Sequence, residues 1–466
     1  MKETGILPPL YFKPVIVMKS TMKFKSTFPK MSHNALYLAL GLALAVPTQA
    51  QSLSEVYQSA RGYDATYQSA MSQAKATEAR GEQAKAGIWP TAGLTAGASR
   101  TYLDVVGATD TRTYGTQNAG MSASQPLYRP SNWANYEQGG KQVQLAQAQL
   151  QAAEQELIVR TSQLYFDVLT AQDTLTFVQA QKAAVAEQLA SAKRNFEVGT
   201  STITDSREAQ ARFDLVTAQE IAAMNDVQVK KMALDQLVGK TGVQPKPLAV
   251  PANLPAPTPN DVNAWVAHAE AAHPSVVQAR IAVDIAKLET TKAEAGHKPT
   301  LDLTASYGAN RSIGSATSTA TTRSNSGTVG LALNLPLFAG FAVQNRVKET
   351  LALEDKAQSD LDNAKRSVAQ ATRTAFYGVQ SGLSSVKAIE AAEASSQSAL
   401  EANKLGYQVG VRINIDVLNA QSQLFQTKRD LAKARYDVLM GNLKLRQANG
   451  TLKADDLAPV NALLVK

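Results

Sequence analysis

The chain is written twice, and that duplication constrains its fold more than any other feature of the sequence. The stretch RNFEVGTSTITDSREAQARF from Arg194 aligns with LGYQVGVRINIDVLNAQSQL from Leu405, and Val198-Gly199 falls on Val409-Gly410 at an offset of 409 − 198 = 211. The same offset pairs Asp205 with Asp416, Ala209-Gln210 with Ala420-Gln421, and Gly239 with Gly450. Upstream, KAGIWPTAGLTA ending at Ala96 matches EAGHKPTLDLTA ending at Ala305 (305 − 96 = 209), and Pro126-Leu127 matches Pro336-Leu337 (336 − 126 = 210). In 466 residues, a period near 210 means two copies of one large unit forming a single body, not unrelated domains.

Proline placement says what the unit is made of. Residues 131–244 and 337–458 contain none of the 18 prolines, which predicts long helices. Leu150, Leu157, Leu164, Ala171, Val178, Val185 and Ala192 follow one another at seven-residue spacing. Val168, Leu175, Leu189 and Phe196 stand four places after members of that row, which makes a coiled-coil seam. In the second copy Leu361, Ala364, Val368, Ala371 and Ala375 repeat at intervals of 3, 4, 3 and 4. Long helices are expected over about 131–195 and 342–406, each roughly 95 Å at 1.5 Å per residue. Half-length helices are expected after the Val-Gly turns, about 204–238 and 414–449, and before the strands, about 53–88 and 263–297. Two short helices end to end match one long helix, giving paired rods closed at one end by the turns.

Between the helices, alternation predicts two strands per copy, about 91–104 and 115–128, then 300–309 and 327–338. Leu301, Leu303, Ala305 and Tyr307 alternate with Asp302, Thr304 and Ser306, and the row Val329, Leu331, Leu333, Leu335, Leu337 alternates with small or polar residues. One face is therefore apolar and the length suffices to cross a bilayer. DVVGATDTRT and ANRSIGSATSTATTRSNSGT read as the connecting loops. Four strands cannot close a membrane barrel, which starts at about eight, so the chain pools its strands with copies of itself; three copies supply twelve. Trp89, Tyr128, Trp133, Phe338 and Phe341 fall at the strand-helix junctions, where an interfacial aromatic girdle belongs.

MKFKSTFPK from Met22, the apolar run ALYLALGLALAV from Ala35 and PTQA ending at Ala50 have the order of a secretory signal, too short to span a membrane as a helix. Cleavage is expected after Ala50, and Met22 is an alternative start. The layout is a signal segment with upstream extension (1–50), a first repeat (51–240), a proline-rich connector (241–261), a second repeat (262–450) and a tail (451–466), connector and tail wrapping the middle of the rods. After Ala50 no run of 18 apolar residues occurs, so a membrane could be crossed only by a closed barrel. With no cysteine, an exported chain is held by packing or assembly, not by disulfides.

Net charge is +8, but residues 1–50 carry six lysines against one acid, leaving 8 − 5 = +3 for the rest; nucleic acid is a poor partner. HAEAAH over 268–273 spaces its histidines five apart, about 140° around a helix, which does not suit a zinc motif of the i, i+4 kind. GKTG at Gly239 lacks the strand and first glycine of a phosphate loop and reads as a helix end. No nucleophile-base-acid set, metal site or cofactor site is found, and the chain is not read as an enzyme.

An exported chain of two strand-strand-long helix-turn-short helix repeats resembles the TolC family of outer-membrane channel-tunnels. The likeness covers residues 52–455 and is specific at HKPTLDLTAS, NFEVGTSTITD, GYQVGVRINIDVL and LAKARYDVL. It implies a mainly helical homotrimer in the outer membrane, with a twelve-stranded β-barrel on a twelve-helix periplasmic tunnel. The implied partners are outer-membrane lipid, a periplasmic adaptor and an inner-membrane transporter of resistance-nodulation-division or ABC type. The implied role is the exit channel of an efflux pump, a type I secretion system, or both. The turns Val198-Gly199 and Val409-Gly410 then form the closed end, where the adaptor docks. The family's gate network falls on Tyr407 and Arg412 on one side and on Asp205 and Thr204 on the other, with an expected Arg412–Asp205 pair. Arg194 stands where the best-known members carry glutamine. Of the family's two aspartate rings in the pore, the first falls on Asp416 and the second on Asn419, which implies milder cation selectivity. From local sequence alone, Asp205 and Asp416 read first as helix N-caps after a turn, a role that can coexist with one in the gate or pore. The rival from another class is a barrel-anchored trimeric coiled-coil structural or adhesive protein, which needs no polar cluster at the turns.

Overall fold

The structure, a computed structural model, describes residues 50–104, 106, 111–251 and 253–465. The expected signal segment, apart from Ala50, lies outside the described residues, as does half of the DVVGATDTRT loop. The first repeat runs α1 (Leu53–Tyr63), α2 (Ala65–Ala84), β1 (Thr91–Leu103), β2 (Arg112–Tyr128), α3 (Pro130–Glu197) and α4 (Ile203–Val238). The second runs α5 (Val262–Ala272), α6 (Pro274–Glu294), β3 (Thr300–Ile313), β4 (Thr321–Asn334), α7 (Ala342–Gln408) and α8 (Asn414–Asn449), with a short α9 (Leu457–Asn461) in the tail. The helices expected over 53–88 and 263–297 are each split in two. Asp64 accepts from Tyr67 N at 2.8 Å, and His273 Nδ1 accepts from Ser275 N at 3.1 Å, so each break is capped from its own sequence. Burial holds the capping His273 below the usual imidazole range, which keeps Nδ1 an acceptor.

α3 and α7 have 68 and 67 residues, roughly 100 Å each. Proline at the first position of α3 costs no helical hydrogen bond. Leu157, Ala171, Val178, Val185 and Ala192 of the heptad row are buried, while Phe196, at its end, is 43% exposed. The α7 seam differs from its expected row: Ala371 is exposed, and burial runs instead through Leu361, Val368, Thr372, Phe376, Val379 and Val386. Thr372 can enter that row because its hydroxyl donates to the Val368 carbonyl, 2.9 Å away.

The largest core sits around Leu157, Tyr165, Phe166, Leu439 and Leu443, where Val243 and Leu248 of the connector and Leu452, Leu457 and Leu464 of the tail pack against the rods. Leu248 and Leu464 form a β-bridge, and the Tyr165 hydroxyl receives Lys246 N at 2.8 Å. Connector and tail thus brace the rods through one shared apolar cluster. Gly239 ends α4 at φ +70°, directly over the Tyr63 ring, so it is a helix stop.

The four strands make one antiparallel sheet in the order β1-β2-β3-β4. β3 and β4 run further toward their connecting loop than alternation predicts: residues read as loop continue the ladder, with Arg311 opposite Arg323 and Ile313 opposite Thr321. Backbone pairing with a neighbouring strand, which ignores side-chain polarity, extends them. At the other end β4 stops at Asn334, short of the expected 338. The register puts Leu94, Met121, Tyr307, Leu331 and Leu333 on one face and Thr95, Gly120, Thr304 and Ser306 on the other. At the helix end of the sheet Arg129 binds Asp302 through both guanidinium arms (Nε to Oδ1 2.8 Å), tying the start of α3 to the strand of the other repeat. Trp89, Tyr128, Trp133, Phe338 and Phe341 are all exposed at these junctions.

Candidate functional site

Both expected turns close in the same way. α3 ends at Val198 (φ −89°, ψ 0°) and α7 at Val409 (φ −92°, ψ 2°), followed by Gly199 at φ +79° and Gly410 at φ +80°. A Cβ on either glycine would meet nothing within 4 Å, so glycine is required by backbone conformation and not by space. The carbonyl of Asn195 receives the amides of Thr200 and Ser201, and at the equivalent position Gly406 receives Val411 and Arg412.

The polar side chains then diverge. Thr202 caps α4 in a reciprocal box with Asp205: Asp205 N reaches Thr202 Oγ1 at 3.2 Å and Thr202 N reaches Asp205 Oδ2 at 3.1 Å. Ile413 occupies the matching position of the second turn and offers no side-chain cap. Asp416 faces Arg412 at 3.7 Å, both partly exposed, which makes a weak pair. Within one chain the expected Arg412–Asp205 pair is not formed among the described residues, because Thr202 occupies the Asp205 carboxylate and the Arg412 stem lies across Gly406, where a Cβ would come within 2.7 Å of it. Tyr407 does reach the first repeat, accepting from Asn195 Nδ2 at 3.2 Å. Arg194 and Thr204 are exposed, with no polar side-chain partner in the chain among the described residues.

Asn414 is missing from the residues expected from sequence. It is fully buried, accepts from Gln188 Nε2 through Oδ1 and donates through Nδ2 to the Asp205 carbonyl at 3.1 Å. Gln181 lies 3.5 Å from Ser422. Gln181, Gln188 and Asn195 therefore form a seven-residue row of amides on α3, each contacting the second repeat. That spacing was present in the sequence but lay one step off the apolar seam. Nearby, Leu418 of α8 enters the apolar cluster of Val185, Leu189, Ala209 and Val216. Arg212 of α4 donates to Asn419 Oδ1 at 2.8 Å, so the position expected for a second carboxylate ring holds a neutral amide beside a guanidinium. The arrangement joins two helical hairpins near their tips by side-chain hydrogen bonds and by the packing of Leu418.

A sequence profile described as outer membrane efflux protein matches residues 56–240 and 265–451, one copy on each repeat. The chain is 34% identical over 425 residues to the outer membrane protein TolC of Vibrio cholerae, covering 91% of this chain and 96% of that protein. It is 30% identical to the alkaline protease secretion protein AprF of Pseudomonas aeruginosa, covering 92% and 91%. Among solved structures, the CmeC outer membrane channel of Campylobacter jejuni superposes with a TM-score of 0.74 at 15% identity, covering 94% of this chain and 97% of that one.

Proposed function

The chain belongs to the outer membrane efflux protein family, is an outer-membrane exit channel and not an enzyme, and on that premise we propose how its parts perform the task. Three copies join their four-stranded sheets edge to edge into a twelve-stranded barrel, and their rods form a tunnel of twelve helices beneath it. The observation that carries this reading is the sheet: apolar on one face, polar on the other, and paired in the order β1-β2-β3-β4 with its outer strands at the edges. Free edges and a lipid-compatible face are met together only by closure with further copies.

The helix pairs meet at the closed tip. The Asn195–Tyr407 and Gln188–Asn414–Asp205 links hold the second hairpin to the first. Arg412, Thr204 and Arg194 are left exposed to meet neighbouring copies. Opening is a swing of one hairpin away from the other, which breaks these hydrogen bonds and withdraws Leu418 from the first hairpin's apolar cluster while the seam within each hairpin stays closed. The ring of Asp416 narrows the pore and favours cations, while Asn419 with Arg212 limits that preference. The tips at Val198-Gly199 and Val409-Gly410 receive a periplasmic adaptor, which couples the tunnel to an inner-membrane transporter of the resistance-nodulation-division or ABC type. A relative named for protease secretion supports polypeptides as well as small molecules as cargo.

Purified protein in planar bilayers tests the reading. A trimer with small, stable conductance that widens when the tip links are removed is the expected result. A barrel-inserted monomer, or a trimer without a channel as an adhesin would give, overturns it.

A further inference from the structure

On the apolar face of the sheet, polarity changes along a single line. The cross-strand rows up to Ala96, Ala119 and Ala309 are dominated by apolar or small residues; the next row is Ala98, Gln117, Arg311 and Arg323, and the one after it begins with Arg100 opposite Gly115. From Leu301 to Ala309 is eight residues, roughly 26 Å along the strand, close to the apolar band of an outer-membrane barrel. The arginines therefore stand one step beyond the hydrocarbon, at the end of the sheet away from the helices. If the barrel crosses the outer membrane as proposed above, that is the level of the outer-leaflet headgroups, and the three side chains point to lipid.

Arg311 and Arg323 are directly opposite, which brings their Cβ atoms to about 5 Å and is unfavourable for like charges. Within the four strands no carboxylate on that face relieves it: their only acid, Asp302, is on the other face and is held by Arg129, and Asp104 lies beyond the end of β1. Arg100, Gln117 and Ile313 surround Gly115 in a recess of about 420 Å³. All three cations are arginine, whose planar fork binds phosphate through two parallel hydrogen bonds where lysine offers a point charge.

We propose that Arg100, Arg311 and Arg323 form a binding site for the phosphorylated saccharide headgroup of an outer-leaflet glycolipid, repeated once per subunit around the barrel. The anion offsets the Arg311–Arg323 repulsion, and the lipid's acyl chains lie along the apolar rows below. The inference rests on the outer-membrane barrel reading, so its test is read separately from channel activity.

The detergent-purified full-length assembly is titrated with diphosphoryl lipid A, with dephosphorylated lipid A and with inorganic phosphate, and binding is read by native mass spectrometry. Expected is preference for the diphosphoryl lipid, weakened at least about tenfold in R311Q/R323Q because two bidentate contacts are lost. R311K/R323K should fall between the two, and R112Q, on the opposite face, should bind like the parent. Equal binding of both lipids, unchanged binding in R311Q/R323Q, or displacement by equimolar inorganic phosphate overturns the site. Bilayer conductance of the same samples tests the channel independently: a conducting parent that ignores lipid A sinks this proposal alone, and a parent that binds lipid A by the arginines without conducting sinks the channel reading alone.

Discussion

The turn after α3 and the turn after α7 share a backbone to within a few degrees at the capping valine and the glycine that follows it, yet they spend their polar groups differently. In the first, Thr202 and Asp205 satisfy each other and the start of α4. In the second, Ile413 cannot cap, and Asn414, the next residue, is buried and turned toward the first repeat. The first hairpin tip is locally self-sufficient; the second depends on its neighbour. Duplication supplied one scaffold, and divergence at two or three positions made one copy the support and the other the candidate moving part.

That contrast can be broken in a graded way. The largest effect is expected where the copies are alike. Gly199→Val and Gly410→Val each force a β-branched residue into the left-handed region, a strain on the order of 1–3 kcal/mol. Both should abolish export in a cell-based efflux assay while trimer yield stays normal. Loss of the trimer would assign these glycines to folding.

Asn414→Leu comes next. It removes the partner of the half-buried Gln188 amide and Asp205 carbonyl, at about 1 kcal/mol per hydrogen bond, and should raise single-channel conductance several-fold. Ile203→Leu, at the equivalent position of the first copy, should leave conductance unchanged; equal opening by both would remove the asymmetry argued above.

Tyr407→Phe with Arg412→Ser should open the channel in the same direction but less. Within a chain this deletes one hydrogen bond worth about 1 kcal/mol and a weak exposed pair. Conductance unchanged in a confirmed trimer would falsify the gate role of these two residues.

Smaller again is Asp416→Asn, which should lower cation preference in reversal-potential measurements without changing open-state conductance much. Asn419→Asp should raise both cation preference and block by polyvalent cations, less than two full aspartate rings would, because Arg212 lies 2.8 Å from the substituted position. The smallest effect is Thr202→Ala, which removes a cap worth about 1 kcal/mol and should speed amide exchange in the first turn of α4 alone. Ile413→Thr should slow exchange at the start of α8.

Much of this was legible before any coordinates. Proline-free runs, heptad rows and the 211-residue offset are local or periodic signals, and they located the long helices to within a few residues. The N-cap reading of Asp205 and Asp416 was off by three residues: Thr202 and Ile413 hold the cap positions, and Asp205 acts from the third helical position as the other half of a capping box. Where reading failed, the missing information was non-local. The outer ends of β3 and β4 are polar, and only their pairing partners make them strand. The row of Gln181, Gln188 and Asn195 looks like solvated surface until a second repeat is laid against it.

The sequence by itself determined the repeated unit, the rods, the turns that require glycine and the two-faced strands, because each of these follows from backbone sterics or from a period of 2, 3.5 or 3.6. Only the tertiary structure decided which polar groups meet. Arg412 lies near Asp416 and not Asp205, Tyr407 takes Asn195, and Asn414, polar between Ile413 and Ile415, is the one of the three that is fully buried. A hydrogen bond between residues some two hundred positions apart has no local signature: it depends on how the two hairpins are rotated against each other, and the packing of Leu418 into the first pair is part of what fixes that rotation, which no single segment encodes.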